Sequence, residues 1–156
     1  MEEIPAVRPR PTGLMRMLVR TPVLLYRLGL GGLIGKRTLL LTTTGRRTGR
    51  PRVVPLDYQQ EAGTFYLIAE QGTHATWYRN LIAQPEVTLQ VGGRRLAGVA
   101  TPLADPQEKV HVLKLFVRRS ARLAERYYGI PRGASDEGLL QLAPHRAVVA
   151  VRPRSS

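Results

Sequence analysis

The densest cluster of charge in the chain is at residues 45–52, which read Gly-Arg-Arg-Thr-Gly-Arg-Pro-Arg. Four arginines and two glycines stand there without an acidic residue. Guanidinium groups bind phosphate or carboxylate through paired hydrogen bonds, and glycine lets backbone N–H groups approach an anion closely. The spacing is not that of a P-loop, and the segment does not open a helix. It therefore predicts an anion-binding site at a hairpin tip, with a merely solvated turn as the alternative.

Aromatic and polar residues are grouped at 77–81, which read Trp-Tyr-Arg-Asn-Leu and precede Pro85. A helix over these residues places Trp77 and Leu81 on one face, a spacing that is more typical of core packing than of a binding site. On its own, this motif indicates no chemistry.

Cysteine and metal chemistry find little support in the sequence. The chain has no cysteine, which excludes a disulfide, a thiolate nucleophile and a thiolate metal ligand. Its three histidines, His74, His111 and His145, have no metal-ligand spacing, so we predict no metal site. His74 is the histidine best placed to contact a substrate, because it lies in the loop before the helix at 77–81.

The net charge of the chain is +13. A positive field of this size indicates an anionic partner. Aromatic residues make up only 6% of the chain, and no helix-turn-helix, RRM or OB pattern interleaves them with the basic clusters. We therefore expect no nucleic-acid partner, which leaves a phosphorylated small molecule or an anionic membrane surface.

The elements that position these residues follow from β-forming runs and turn signals. Six strands are predicted, at 38–44, 52–58, 64–69, 86–91, 94–101 and 146–151. Helices are predicted at 74–83 and, from an N-cap at Asp105, at 105–128, with a loop at 129–138. The pattern predicts an α+β fold in which six mainly antiparallel strands close into a barrel with flanking helices.

The helix predicted at 105–128 has two different sides. Lys114, Arg118, Arg122 and Arg126 recur at four-residue steps and form a basic row, which is either solvated or an extension of the anion-binding surface. The opposite side is apolar and should cover the barrel; it comprises Val110, Leu113, Phe116, Val117, Ala124 and Tyr127.

The length of 156 residues suits one domain, which we place at 12–152 after a flexible arm at 1–11. Residues 12–29 predict an amphipathic helix whose arginines flank an apolar stripe. That stripe suits either docking on the barrel or peripheral contact with an anionic membrane. Glu2 and Glu3 are atypical of a signal peptide, and arginines interrupt the long apolar runs, so we expect a cytoplasmic protein without a spanning helix.

Three motifs taken in order carry a family resemblance: LLTTTGRRTGRPRVVPL at 40–56, WYRNLIAQPEVTLQVGG at 77–93 and PHRAVVAV at 144–151. Over residues 14–152 the chain resembles the deazaflavin-dependent nitroreductase and quinone reductase family. The resemblance implies a flavin-reductase-like split β-barrel and use of the reduced deazaflavin coenzyme F-420. It also implies hydride transfer to a quinone, nitroaromatic or enone acceptor.

The resemblance also assigns roles by position. The residues expected to meet the coenzyme's anionic tail are Arg46, Arg47, Thr48, Gly49 and Arg52. Those expected to line the deazaflavin ring are Val54, Pro55, Leu56, Ile68 and Ala69, with Trp77 and Asn80 closing the site. Related enzymes carry tyrosines near the electron acceptor, so the candidate catalytic residues, as proton donors or acceptor contacts, are Tyr127 and Tyr128, together with His74.

Glu70 and Gln71 depart from the family pattern, in which a small residue followed by Lys is common after the third strand. Both positions are expected in the cofactor site, where a neutral amide beside a carboxylate removes attraction for an anion. FAD, FMN and heme therefore remain alternative cofactors, and a non-catalytic flavin-, heme- or lipid-binding barrel remains the alternative function. The acceptor and the oligomeric state stay open.

Overall fold

One antiparallel sheet organises residues 37–154, the part of the chain that the computed structural model describes. Within that part the sheet has seven strands, in the order β2-β1-β5-β6-β7-β4-β3. Their bounds are β1 Thr38–Thr44, β2 Pro51–Asp57, β3 Gln59–Glu61, β4 Thr64–Ala69, β5 Glu86–Val91, β6 Arg94–Pro102 and β7 Ala147–Pro153.

The two edge strands of the sheet, β2 and β3, are consecutive in the chain and only Tyr58 separates them. This connection brings the edges of the curled sheet towards each other. The α+β split barrel with flanking helices is confirmed, but the expected number of six strands is wrong. The additional strand, β3, is polar and three residues long, so it has no apolar alternation that could signal it. It pairs with β4 across a tight turn at Ala62 and Gly63, where both residues have positive φ.

Side chains pack on both faces of this sheet. The inner face forms the barrel core, to which every strand except β3 contributes; its members include Leu39, Leu41, Phe65, Leu67, Leu89 and Val151. The outer face is covered by helices, and the second core there includes Val110, Leu113, Phe116, Ile130, Leu139 and Val148. The strand β7 alternates between the two cores, as the two-residue period of a buried strand requires.

The helices differ from the predicted ones in their breaks. They are α1 Thr76–Ala83, α2 Pro106–Arg119, α3 Ala121–Tyr128 and α4 Asp136–Leu142, with 3-10 turns at Gly72–His74 and Ala143–His145. The helix predicted at 74–83 begins later, because Ala75 is extended and leaves His74 in the preceding turn. The loop predicted at 129–138 is also wrong, since α4 begins inside it behind an N-cap in which Ser135 Oγ accepts from the Gly138 N–H.

The single helix predicted at 105–128 is divided at Ser120, whose backbone is extended and whose Oγ accepts from the Leu123 N–H. The N-cap at its start is confirmed, because Asp105 Oδ1 accepts from the Gln107 N–H at 2.9 Å. The break turns α3 relative to α2. Tyr127 consequently leaves the apolar side to which the sequence assigned it and is 41% exposed.

The arm expected at 1–11 and the amphipathic helix expected at 12–29 lie outside the described residues. No helix within 37–154 is long and apolar enough to cross a membrane.

Candidate active site

A cavity of about 400 Å³ opens where the ends of β2 and β4 meet α1 and the last turn of α3. Its volume falls within the range of about 300–1,000 Å³ that is usual for small-molecule sites. The side chains that line it are Val54, Pro55, Leu56, Asp57, Ile68, Glu70, Gln71, Ala75, Thr76, Trp77, Tyr127 and Tyr128.

Most residues assigned to the ring and to the acceptor lie together in this cavity, although they come from segments that are far apart in sequence. Strand β2 supplies Val54, Pro55 and Leu56 because it is an edge strand and its side chains are only partly covered. The end of β4 supplies Ile68, and the turn after it supplies Glu70 and Gln71. The remaining members are Trp77 on α1 and Tyr127 and Tyr128 on α3.

Three of the residues predicted for the ring and the acceptor do not line this cavity: Ala69, His74 and Asn80. Ala69 points into the barrel core, since neighbouring residues of a strand face opposite sides and Ile68 takes the outer face. His74 is exposed and lines a separate cavity of about 280 Å³, which it shares with Lys109 and His145. Gln71 borders both cavities.

The arginine hairpin, residues 45–52, is closed by its own backbone. The Gly45 N–H donates to Arg50 O at 2.8 Å, and the Gly49 N–H donates to Gly45 O at 2.7 Å. Gly49 has a φ of +70°, and a Cβ on Gly45 would come within 2.8 Å of Thr48 Oγ1. Both glycines are therefore required by the turn itself. Since the N–H groups of these two glycines are used internally, the glycines shape the turn and do not themselves donate to an anion.

Asn80 connects this hairpin to α1. Its side chain is 2% exposed, and its Oδ1 accepts from both the backbone N–H and the Nη1 of Arg46, at 3.2 and 3.1 Å. Its Nδ2 donates to Thr43 Oγ1 at 3.2 Å. Trp77, which lines the cavity, stands one helical turn before Asn80. The same helix thus holds the arginine hairpin and one wall of the cavity.

Positive charge is crowded at this point. Partial burial and then the neighbouring Arg79 and Arg47 lower the pKa of Arg46 from its ordinary value. Within residues 37–154, no carboxylate forms an ion pair with Arg46, Arg47, Arg50 or Arg52. An anion bound here would relieve the repulsion among these guanidinium groups.

Tyr127 and Tyr128 form one wall of the cavity, and Tyr128 is the more buried of the two. Tyr128 packs edge-on against Phe116 with ring centroids 5.3 Å apart. Burial, followed by the charges of Asp57 and Glu70, raises the pKa of Tyr128 above its ordinary value. Its hydroxyl therefore keeps its proton at neutral pH and is available as a hydrogen-bond donor. Tyr127 is more exposed, with the guanidinium of Arg126 5.7 Å from its ring centroid.

Arg146 fixes the end of the helix that carries these tyrosines. Its Nε donates to Tyr128 O at 2.6 Å, its Nη2 to Gly129 O at 3.2 Å and its Nη1 to His145 O at 2.9 Å. Gly129 ends α3 in the left-handed conformation. The guanidinium therefore satisfies carbonyl groups that a helix C-terminus leaves without partners.

Sequence reasoning missed five contributors to this region: Asp57, Ala75, Thr76, Arg79 and Arg146. Asp57 ends β2 and Thr76 begins α1, and each is next to a residue that was predicted to line the site. This proximity in sequence could have indicated them. Arg79 precedes Asn80 inside a recognised motif, and Arg146 lies in the motif at 144–151. Their roles depend on tertiary contacts, which no local pattern records.

Two other charged side chains that sequence reasoning considered, His111 and Lys114, have structural partners. His111 Nε2 lies 2.6 Å from Glu61 Oε1, and Lys114 pairs with Asp136 at 2.7 Å. In this part of the chain no three His, Asp or Glu side chains gather as a metal site.

Known proteins resemble this chain in both sequence and fold. The family model described as F420H(2)-dependent quinone reductase matches residues 18–133. An F420H(2)-dependent quinone reductase of Mycobacterium tuberculosis is 36% identical over 95 residues, which cover 55% of this chain and 63% of that relative. The match thus spans less than two thirds of the relative's length.

Solved structures with a similar fold include a reductase that uses the same coenzyme. An F420-H2 dependent reductase, FDR-A, has a TM-score of 0.57 and 30% sequence identity, and the match covers 75% of this chain and 95% of that one. A protein described as a domain-swapped dimer has a TM-score of 0.59 and 25% identity, covering 90% of this chain and all of that one. Because the family model matches well over half of its residues, the chain belongs to the F420H(2)-dependent quinone reductase family.

Proposed function

We propose that this protein transfers a hydride from the reduced deazaflavin coenzyme F420H2 to a quinone. The observation that carries the proposal is the joint placement, by α1, of a small-molecule cavity and of an arginine hairpin without carboxylate partners. One end of the site is suited to a polyanionic tail and the other to a flat ring. Family membership and the likeness to an F420-H2 dependent reductase support the same activity.

The residues present fit such a coenzyme. The exposed guanidinium groups of Arg46, Arg47 and Arg52 can bind phosphate or carboxylate groups of the tail, with Thr48 and Gly49 shaping the turn. Val54, Pro55, Leu56 and Ile68 offer an apolar surface for the ring, and Trp77 closes it from α1. A deazaflavin supplies a hydride in one two-electron step when it is bound, so the protein needs chiefly to position it.

The protein's own contribution to the reaction is placement and proton supply. Because Tyr128 keeps its proton, its hydroxyl can donate a hydrogen bond to an acceptor oxygen on which negative charge develops. Tyr127 offers a second hydroxyl on the same wall. We extend the proposal to nitroaromatics and enones, which are also flat acceptors with an oxygen that gains charge.

The competing function is non-catalytic binding of FAD, FMN, heme or a lipid in the same barrel. The arginine hairpin favours a cofactor with an anionic tail over a neutral lipid. A non-catalytic cofactor carrier would bind its ligand without oxidising it when quinone is added, and turnover distinguishes the two functions.

We further propose that residues 12–152 form one domain and that the protein acts in the cytoplasm. Residues 12–29 could bring it to an anionic membrane in which quinones dissolve, as their amphipathic pattern suggests. A two-subunit assembly is a further hypothesis, which the likeness to a domain-swapped dimer supports.

Coenzyme binding tests the assignment of the arginine hairpin. The double variant Arg46→Ala with Arg47→Ala should weaken binding of F420H2 by about 2 to 4 kcal/mol, the scale of losing charge-assisted hydrogen bonds to an anion. Titration by ring fluorescence measures the loss, which should shrink at high salt because exposed charges are screened. The matched control is Arg118→Ala with Arg122→Ala, which removes the same charge from exposed positions on α2 and α3. Equal affinity in both double variants contradicts the assignment.

A further inference from the structure

The charge inside the cavity has the opposite sign to that of the arginine hairpin. Among the described residues that line it, Asp57 and Glu70 carry negative charge and no lysine, arginine or histidine side chain is present. The hairpin contains four arginines and no acid. The site is therefore polarised, with its positive pole outside the cavity and its negative pole on the cavity wall.

Both carboxylates act on the tyrosine end of the cavity. The charges of Asp57 and Glu70 contribute to the raised pKa of Tyr128, so both lie within electrostatic range of its hydroxyl. Tyr127 and Tyr128 form the wall proposed above to meet the acceptor. The negative charge is therefore placed on the acceptor half of the cavity and away from the hairpin.

The two acids are not equivalent. Asp57 Oδ1 accepts from Thr38 Oγ1 at 3.0 Å, and Asp57 also borders a second, smaller cavity lined by Arg37 and Arg119. The hydrogen bond from Thr38 and the arginines of this smaller cavity distinguish the surroundings of Asp57 from those of Glu70. Glu70 is exposed at the mouth of the main cavity, and no lysine or arginine of the described chain forms an ion pair with it. Among residues 37–154, Glu70 is therefore the acid that presents the less compensated negative charge to a ligand in the cavity.

We infer that the acceptor half of this cavity selects quinones without negative charge, prefers cationic ones, and uses Glu70 as the residue that sets this selectivity. The inference rests on the proposed function, since it concerns the acceptor of that reaction. A charge about 6 Å from a carboxylate changes affinity roughly threefold in a water-like dielectric and roughly a hundredfold in a partly buried one. Because the cavity is open to solvent, we expect an effect of about tenfold.

Three naphthoquinones that differ in charge test the inference: menadione, a naphthoquinone sulfonate and a naphthoquinone with a quaternary ammonium group. Each quinone takes up a hydride and a proton and leaves as the hydroquinone, so one coenzyme is oxidised per quinone. For the intact protein, kcat/KM for menadione should exceed that for the sulfonate by about tenfold, and the ammonium compound should rank highest. Raising the salt concentration should reduce the differences in kcat/KM among the three quinones.

The variant Glu70→Gln removes the charge and keeps the shape of the side chain. It should bring the ratio between menadione and the sulfonate towards one. The control Glu137→Gln makes the same change at an exposed residue in the first turn of α4 that does not line the cavity, and it should leave the ratio unchanged. An intact protein that uses the sulfonate as well as menadione overturns the inference, and so does an unchanged ratio in Glu70→Gln.

A binding measurement separates this inference from the proposed function. Trp77 is the single tryptophan of the chain and lines the cavity, so quenching of its fluorescence reports binding of each quinone without coenzyme. We expect the affinities to follow the order of kcat/KM, with the ammonium compound binding most tightly and the sulfonate most weakly. Glu70→Gln should reduce the difference in affinity between menadione and the sulfonate. If no quinone is turned over but this order holds, the proposed function fails and the selectivity stands. If menadione is turned over but the sulfonate binds equally well, the selectivity fails and the function stands.

Discussion

Asn80 is the residue that joins the two parts of the proposed site. Its buried amide accepts two hydrogen bonds from Arg46 and donates one to Thr43. A buried amide that makes these bonds stabilises the fold and also restrains the direction of the Arg46 side chain. The two effects can be separated, because the bond to Thr43 can be removed without removing the two bonds from Arg46.

We expect Asn80→Ala to lower the free energy of unfolding by about 2 to 3 kcal/mol and to weaken F420H2 binding about tenfold. The loss of affinity follows because Arg46 is no longer held by the amide oxygen. Denaturant unfolding and coenzyme titration measure the two effects. The control Thr43→Val removes only the other hydrogen bond and should cost about 1 kcal/mol of stability while leaving affinity almost unchanged. If both variants lose stability and neither loses affinity, Asn80 serves the fold alone.

The phenol of Tyr128 gives a prediction about pH. Its raised pKa means that the folded protein keeps this proton at a pH where the unfolded chain, with an ordinary tyrosine pKa near 10, has lost it. The folded state then binds more protons than the unfolded state, so stability falls as pH rises above about 10. Relative to wild type, Tyr128→Phe should lose less stability as the pH rises above about 10. It should also remove the last step of the tyrosine absorbance titration.

Tyr58 provides the comparison for that titration. Burial raises the pKa of Tyr58 as well, but Tyr58 does not line the main cavity. Tyr58→Phe should therefore leave the ionisation attributed to Tyr128 in place. If Tyr128→Phe titrates like the wild type, Tyr128 is not the protonated donor that we propose.

At the residue scale, the motifs predicted much of the cavity but only one of its two acids, Glu70. The resemblance assigned Val54, Leu56 and Trp77 to one site, and they line one cavity. Asp57 was missed because it reads as the polar end of a strand. The role of Glu70 was assigned to the coenzyme, whereas its effect on Tyr128 depends on α3 lying across the cavity from β4, which no local spacing reveals.

The position of α3 is the main feature at the scale of elements. The break at Ser120 and the bonds from Arg146 to the carbonyls after Tyr127 direct the tyrosines into the cavity. The regular basic row at 114–126 predicted one continuous helix, and a serine within such a row is only a weak stop signal. The helix α4 was missed for a related reason. Its apolar pattern is short and follows a segment with glycines and a proline, which is typical of a loop.

Arg146→Ala should lower the free energy of unfolding by about 2 to 3 kcal/mol, because it leaves helix-terminal carbonyls without their charged donor. Thermal or denaturant unfolding measures this change. Arg118→Ala removes an exposed arginine from α2 and should change stability by less than about 0.5 kcal/mol. A similar small effect in both variants would show that the bonds from Arg146 do not hold α3.

At the scale of the whole molecule, strands rich in β-branched and aromatic residues were predicted to within a few residues. An antiparallel barrel followed from their hairpin order, and its split form was implied by the family resemblance. The strand β3 was beyond prediction because its residues are polar and its pairing with β4 is short. The net charge of +13 predicted an anionic partner but not where it binds, since only the folded chain separates a positive hairpin from a negative cavity.

The most direct test of the account is a single-turnover experiment without oxygen. The protein is loaded with F420H2 and mixed with menadione, and the visible absorbance of the oxidised coenzyme is followed in time. We predict that the coenzyme is oxidised with one quinone reduced per coenzyme, at a rate that saturates with quinone concentration and far exceeds the rate without protein. A folded protein whose bound coenzyme stays reduced, or is oxidised no faster than free coenzyme, contradicts the account.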